Sequence, residues 1–167
     1  MLELMLGMTL LVVGVLGYLR VAGEATTTGQ MTAEHGVAME AARQQLERLK
    51  CVPLADLVAL YDADGANDPG GANTAPGARF QVAGLPGWRD DADGWQGSID
   101  LPLVAGALRE DLVDPGMGMP RDLNMDGAID AADHSADCRL VPVRVRVQWD
   151  GVRGAARIEL RTFLGGP

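Results

Sequence analysis

A chain of 167 residues, 47% of them hydrophobic, is long enough for one domain plus a membrane anchor, and its formal charge of −9 repels a nucleic-acid backbone rather than binding it. Two cysteines, Cys51 and Cys138, form no CxxC and two histidines, His35 and His134, stand apart, so a zinc site is not expected. No nucleophile, base and orienter set and no phosphate-cradling glycine loop can be assembled, so catalysis is not expected either.

The chain opens on MLELMLGMTLLVVGVLGYL, an apolar run with one acid, Glu3. At about 1.5 Å per helical residue the stretch from Leu2 to Leu19 spans roughly 27 Å, close to the hydrocarbon thickness of a bilayer. A carboxylate at the mouth of such a helix costs a few kcal/mol to bury and calls for a partner. A secretory signal is the alternative: Val21-Ala22-Gly23 offers small residues for cleavage, although the segment before the apolar core has no Lys or Arg. Arg20, just after the run, opposes the positive-inside preference.

Val21 to Gln30 (VAGEATTTGQ) is weak in helix propensity and predicts a bend or melted turn. From Met31 to Lys50 the helical period returns, with His35, Met39, Ala42, Leu46 and Leu49 on one stripe. Pro53 ends that helix and starts a short second one, Leu54 to Tyr61. Asp62 to Gly77 reads as an exposed loop with solvated acids.

Ala78 to Ala83 predicts a first strand, Trp88 to Trp95 an acidic link, and Ser98 to Val104 a strand demoted to a sheet edge by Pro102. Leu108 to Met119 reads as loop. Val141, Val143, Val145, Val147 and Trp149 then alternate with polar residues or proline, and Ala156, Ile158 and Leu160 alternate with Arg157, Glu159 and Arg161. After Asp150-Gly151 the chain returns as a hairpin, and facing the two apolar sets puts Val147 opposite Ala156, Val145 opposite Ile158, Val143 opposite Leu160 and Arg144 against Glu159. This hairpin is expected to lie on the stem helix.

The sharpest local motif is DLNMDGAIDAAD, residues 122–133. Asp122, Asn124, Asp126, Asp130 and Asp133 fall at positions 1, 3, 5, 9 and 12 of a calcium loop, Gly127 sits at the sharp turn of position 6, and Ala128 offers its carbonyl at position 7. Ile129 is the expected apolar plug. The expected cofactor is a structural Ca2+ that orders a long loop.

Leu2-Glu3-Leu4-Met5 leading into an apolar helix, an amphipathic continuation and a β domain resembles the type IV pilins and the pseudopilins of type II secretion. Glu3 matches the glutamate of their leader-peptidase motif, and Met1 falls at the third position of the family's mature chain. The resemblance implies an α+β fold in which a long N-terminal helix packs on a small antiparallel sheet. Residues 1–20 would form the transmembrane half of the stem, 21–50 its amphipathic half, and 51–167 a periplasmic or extracellular head carrying the 122–133 loop. It further implies an inner-membrane single-pass subunit, a minor pilin or pseudopilin, that enters a pilus or pseudopilus at the cell surface. Its partners would be other pilin subunits, the inner membrane and, where a leader lies upstream, the prepilin peptidase that precedes N-terminal methylation. Glu3 would be the assembly residue that meets a neighbour's N-terminal amine. An extracytoplasmic head would favour a Cys51–Cys138 disulfide closing a loop of about 90 residues, worth roughly 4 to 5 kcal/mol by chain entropy. The loop itself resembles the calcium repeat of dockerins, and the alternative function is a calcium-dependent binding module, secreted or tethered.

Overall fold

A computed structural model describes residues 1–89 and 94–166; the middle of the predicted 88–95 link therefore lies outside the described residues. The fold is α+β. Helix α1 (Leu2–Lys50) is followed by α2 (Leu54–Tyr61), then by strands β1 (Arg79–Phe80), β2 (Gly97–Asp100), β3 (Leu103–Val104), β4 (Ala107–Leu108), β5 (Leu140–Gly151) and β6 (Gly154–Gly165). The main antiparallel sheet has the order β1-β2-β5-β6, and β3 with β4 forms a separate small hairpin.

The predicted break at 21–30 is absent, and α1 runs unbroken through it. The chain has no proline there, and the threonine hydroxyls donate back to carbonyls one turn earlier: Thr26 and Thr27 to Gly23, Thr28 to Glu24 and Thr32 to Thr28, at 2.8–2.9 Å. Each hydroxyl is satisfied without opening a turn. The buried stripe is Ala38, Ala42, Gln45 and Leu49, rotated from the predicted one so that His35 is exposed and Met39 and Leu46 are half-buried. Small side chains at 38 and 42 let the helix lie close on β5 and β6, where Trp149 fills the space beside them. Helix α2 has the predicted bounds and buries Leu57, Val58 and Tyr61.

Period two holds through both long strands. Val141, Val143, Val145, Val147 and Trp149 are buried on the face toward α1. The register differs from the prediction by two residues: Trp149 faces Ala156, Val147 faces Ile158, Val145 faces Leu160 and Val143 faces Thr162. The hairpin turns at Val152-Arg153 between Gly151 and Gly154, the latter at φ 109°, so Asp150-Gly151 continues the strand. A slip of two keeps every apolar side chain on the same face. Glu159 accordingly faces Arg146, and reaches Arg144 at 3.9 Å as a diagonal neighbour.

Strand β2 is interior rather than an edge, lying between β1 and β5. It stops at Asp100, before Pro102, so the proline removes no ladder hydrogen bond, and residues 103–104 leave to pair with 107–108. Asp100 accepts from Arg144 Nε at 2.8 Å and Arg146 Nη2 at 2.9 Å on the outer face. In the 62–77 loop Asp62 is buried, not solvated: its carboxylate accepts from the Asp64 amide and from Asn67 Nδ2.

The expected disulfide is not formed. Cys51 follows the last residue of α1 and is exposed, while half-buried Cys138 directs its thiol to the carbonyl of Ser135, 3.9 Å away.

Candidate metal centre

The segment 110–137 is held together by carboxylates. Asp122 turns the chain back on itself: its oxygens accept from the amides of Met125 (2.6 Å), Asp126 (3.2 Å) and Gly127 (2.8 Å). Asn124 Oδ1 accepts from Asp126, Asp126 Oδ1 from Ala128 and Asp130 Oδ1 from Ala132. Gly127 has φ 92°, the left-handed conformation that the sharp turn needs. The carboxylate and amide oxygens at positions 1, 3, 5 and 9 thus each cap backbone amides of the loop or the turn after it.

Position 12 is different. Asp133 Oδ1 accepts from the Leu108 amide, at 3.0 Å, and from the amide and hydroxyl of Ser135, tying the loop to the end of β4. Ile129 is exposed, not a plug, and no α-helix flanks the loop on either side. The loop follows a 3-10 turn at Pro115–Met117 and leads through turns into β5.

Three residues that sequence patterning does not single out complete the centre: Glu110, His134 and Asp137. Glu110 is 1% exposed, and its Oε1 accepts from the amides of Leu123 at 2.6 Å and Asn124 at 3.1 Å. Its Oε2 accepts from the Asp130 amide at 3.4 Å and lies 3.8 Å from His134 Nε2. His134, 5% exposed, places Nε2 3.1 Å from Asp130 Oδ1 and Nδ1 3.1 Å from Asp137 Oδ1. Glu110, Asp130 and His134 offer ligand atoms all within 4.8 Å of one another, the one such group among the described residues. Asp122, Asp126 and Asp133 are not drawn into it. Nothing local in sequence marks Glu110, because its burial comes from a contact across more than ten residues.

Burial pulls the pKa of His134 down, but its hydrogen bonds to Asp130 and Asp137 and the charge of Glu110 outweigh this and raise it above 6.5. The Ala132 amide, then His134, holds Asp130 below its ordinary 3.8, and Ser135 holds Asp133 below the same value. A raised histidine contributes stability that is complete below its unfolded pKa and is lost as pH rises through its folded one; the two aspartates contribute above their unfolded pKa and lose it as pH falls through their folded ones. In metal-free protein, amide exchange at Leu108 and Leu123 is therefore expected to be slowest, after correction for the intrinsic pH dependence of exchange, between mildly acidic and neutral pH. Protection should fall on both sides, and a His134→Gln variant should lose the alkaline fall.

Glu3, the expected assembly residue, lies in the exposed first turn of α1, more than a hundred residues from the centre in sequence and on the apolar half of the stem. Comparison with protein-family models, curated proteins and solved structures finds no match to this chain.

Proposed function

We propose that the chain is a structural subunit of pilin type, a minor pilin or pseudopilin, that assembles through its N-terminal helix. The observation that carries this reading is the division of one unbroken helix: the 18-residue apolar window near its N-terminus is entirely unburied, while its C-terminal half packs on the sheet. An amphipathic helix docked on its own head buries its apolar residues. This one leaves Leu4, Met5, Met8, Leu11, Val12 and Leu16 bare over a length suited to a bilayer, which favours a stem that sits in the inner membrane and passes into a helical filament core.

Glu3 is then the single acid of the apolar half and pairs with a neighbour's N-terminal amine. The head supplies no catalysis. Its 122–133 loop would take a structural Ca2+ through Asp122, Asn124, Asp126, the Ala128 carbonyl, Asp130 and, after a side-chain turn, Asp133, at the weak affinities of extracellular sites, about 10⁻⁴ to 10⁻³ M.

Two measurements test the reading. Native protein extracted from membranes should carry the whole stem, with a methylated N-terminal amine; a chain beginning near Glu24 would mean that the apolar segment was removed as a signal. Glu3→Ala should leave membrane extraction unchanged and lower recovery in sheared filaments by at least tenfold. Equal recovery of the variant overturns the role of Glu3.

A further inference from the structure

We infer that Glu110, Asp130 and His134 form a second cation site, one that takes a borderline transition ion of the zinc class rather than calcium. The inference goes beyond the calcium reading of the loop and does not depend on filament assembly.

Its basis is the orientation of three lone pairs. His134 Nδ1 faces the Asp137 carboxylate at 3.1 Å, the arrangement in which a carboxylate fixes the tautomer of a ligating imidazole. Asn124 Nδ2 also lies 3.3 Å from Nδ1, but that amide has Asp126 Oδ2 at 3.2 Å and Asp137 Oδ2 at 3.5 Å as acceptors, so the Nδ1 proton belongs to Asp137. Nε2 is then the ligating nitrogen: without metal it shares a proton with Asp130 Oδ1 at 3.1 Å, with Glu110 Oε2 3.8 Å away, and an ion would take that proton's place. Buried Glu110 and His134 and the half-exposed Asp130 carboxylate converge on one point, and a cation held there, a proton or a metal ion, would offset their negative charge.

Ligand geometry suits a small ion. Donors at roughly 2.0 to 2.2 Å from a tetrahedral ion lie about 3.4 Å from one another, so Asp130 and His134 already match, while Glu110 Oε2, 3.8 Å from Nε2 and within 4.8 Å of the Asp130 donor, has to draw in. The Glu110 carboxylate is oriented in advance, because the Leu123 and Asn124 amides fix Oε1 and so turn Oε2 toward the histidine. Asp130 is the most exposed of the three and leaves the solvent side open for a fourth ligand. Imidazole nitrogen selects zinc-class ions over calcium, which prefers oxygen alone. Position 9 of a calcium loop often acts through water, which leaves the Asp130 carboxylate free to turn toward His134.

Such an ion would staple the segment before the loop, the loop and the segment after it. Titration of the full chain in detergent micelles with Co2+ tests this. The expected result is one equivalent bound, with the intense visible absorption of a low-coordinate site, and displacement by Zn2+. His134→Ala should weaken binding by more than about a hundredfold, and Asp137→Asn by about 10- to 100-fold through the imidazole it orients. His35→Ala and the loop variant Asp126→Ala should stay within about twofold of the parent. Absence of a stoichiometric site, loss of it in His35→Ala, or loss in Asp126→Ala together with displacement of Co2+ by Ca2+ would each overturn the assignment. Should His134→Ala fail to fold, histidine ring signals of the parent protein decide: Zn2+ should shift those of His134 and spare His35, and an unmoved His134 overturns the site.

Discussion

Replacing Glu110 by Ala is expected to cost about 3 to 5 kcal/mol, the range for removing one member of a buried charged network. The carboxylate is 1% exposed and accepts from three backbone amides, those of Leu123, Asn124 and Asp130. Truncation leaves those donors without acceptors in a place that water reaches poorly, and it removes the negative charge that faces His134 at 3.8 Å. Glu110→Gln separates the two effects: its amide oxygen can still accept from Leu123 and Asn124, while its NH2 opposes the Asp130 amide. The Gln variant should therefore lose about half as much. Denaturant unfolding of the full chain in micelles reads both. Equal costs for Ala and Gln would assign the whole effect to charge, and a cost for Ala below about 1 kcal/mol would show that the 122–133 segment is held by something else.

Trp149→Ala is expected to cost about as much, roughly 3 to 5 kcal/mol, for a different reason. The indole is wholly buried near the end of β5, its ring meets His35 edge-on with centroids 5.0 Å apart, and its Nε1 donates to Glu34 Oε2 at 3.1 Å. Both partners belong to α1, so this side chain joins the stem to the head. Trp149→Phe keeps most of the volume and deletes the donor to a carboxylate, for about 1.5 to 3 kcal/mol. Hydrogen exchange distinguishes the two large effects. Loss of Trp149 should raise exchange around residues 34–42 of α1, whereas loss of Glu110 should raise it at 121–126 and leave the helix protected.

Legibility in the sequence follows the range of the interactions. Helix α2 is readable because Pro53 and a short apolar run are local signals, and β5 and β6 because period two runs from Val141 to Trp149 and from Ala156 to Arg161. The register is not, because a slip of two residues leaves the hydrophobic face unchanged, so only the turn geometry at Val152-Arg153 decides it. Propensity predicts a break at 21–30, whereas α1 runs on through it with the hydroxyls of Thr26, Thr27 and Thr28 bonded back to carbonyls of the preceding turn. Pro102 suggests an edge strand, but the ladder ends two residues before it.

At the candidate metal centre the Asp122 to Asp133 spacing is visible, since the oxygen-bearing residues of one loop stand at fixed intervals in consecutive sequence. Glu110 and the contact of Asp130 with His134 are not, because a carboxylate that folds in from a separate segment leaves no period. His134 and Asp137 stand next to the motif and still give no sign of their role, since an isolated histidine carries no spacing signal until its partners are known.

The most direct test of the central claim is a photo-crosslinking residue at Leu10, in the bare apolar half of α1, activated in native membranes and in sheared filaments. The account predicts covalent adducts with the N-terminal helix of another pilin-type subunit, identified by mass spectrometry and reduced when Glu3 is replaced by Ala. Recovery of the chain in the soluble fraction without its apolar segment, or of lipid adducts alone in both preparations, would contradict it.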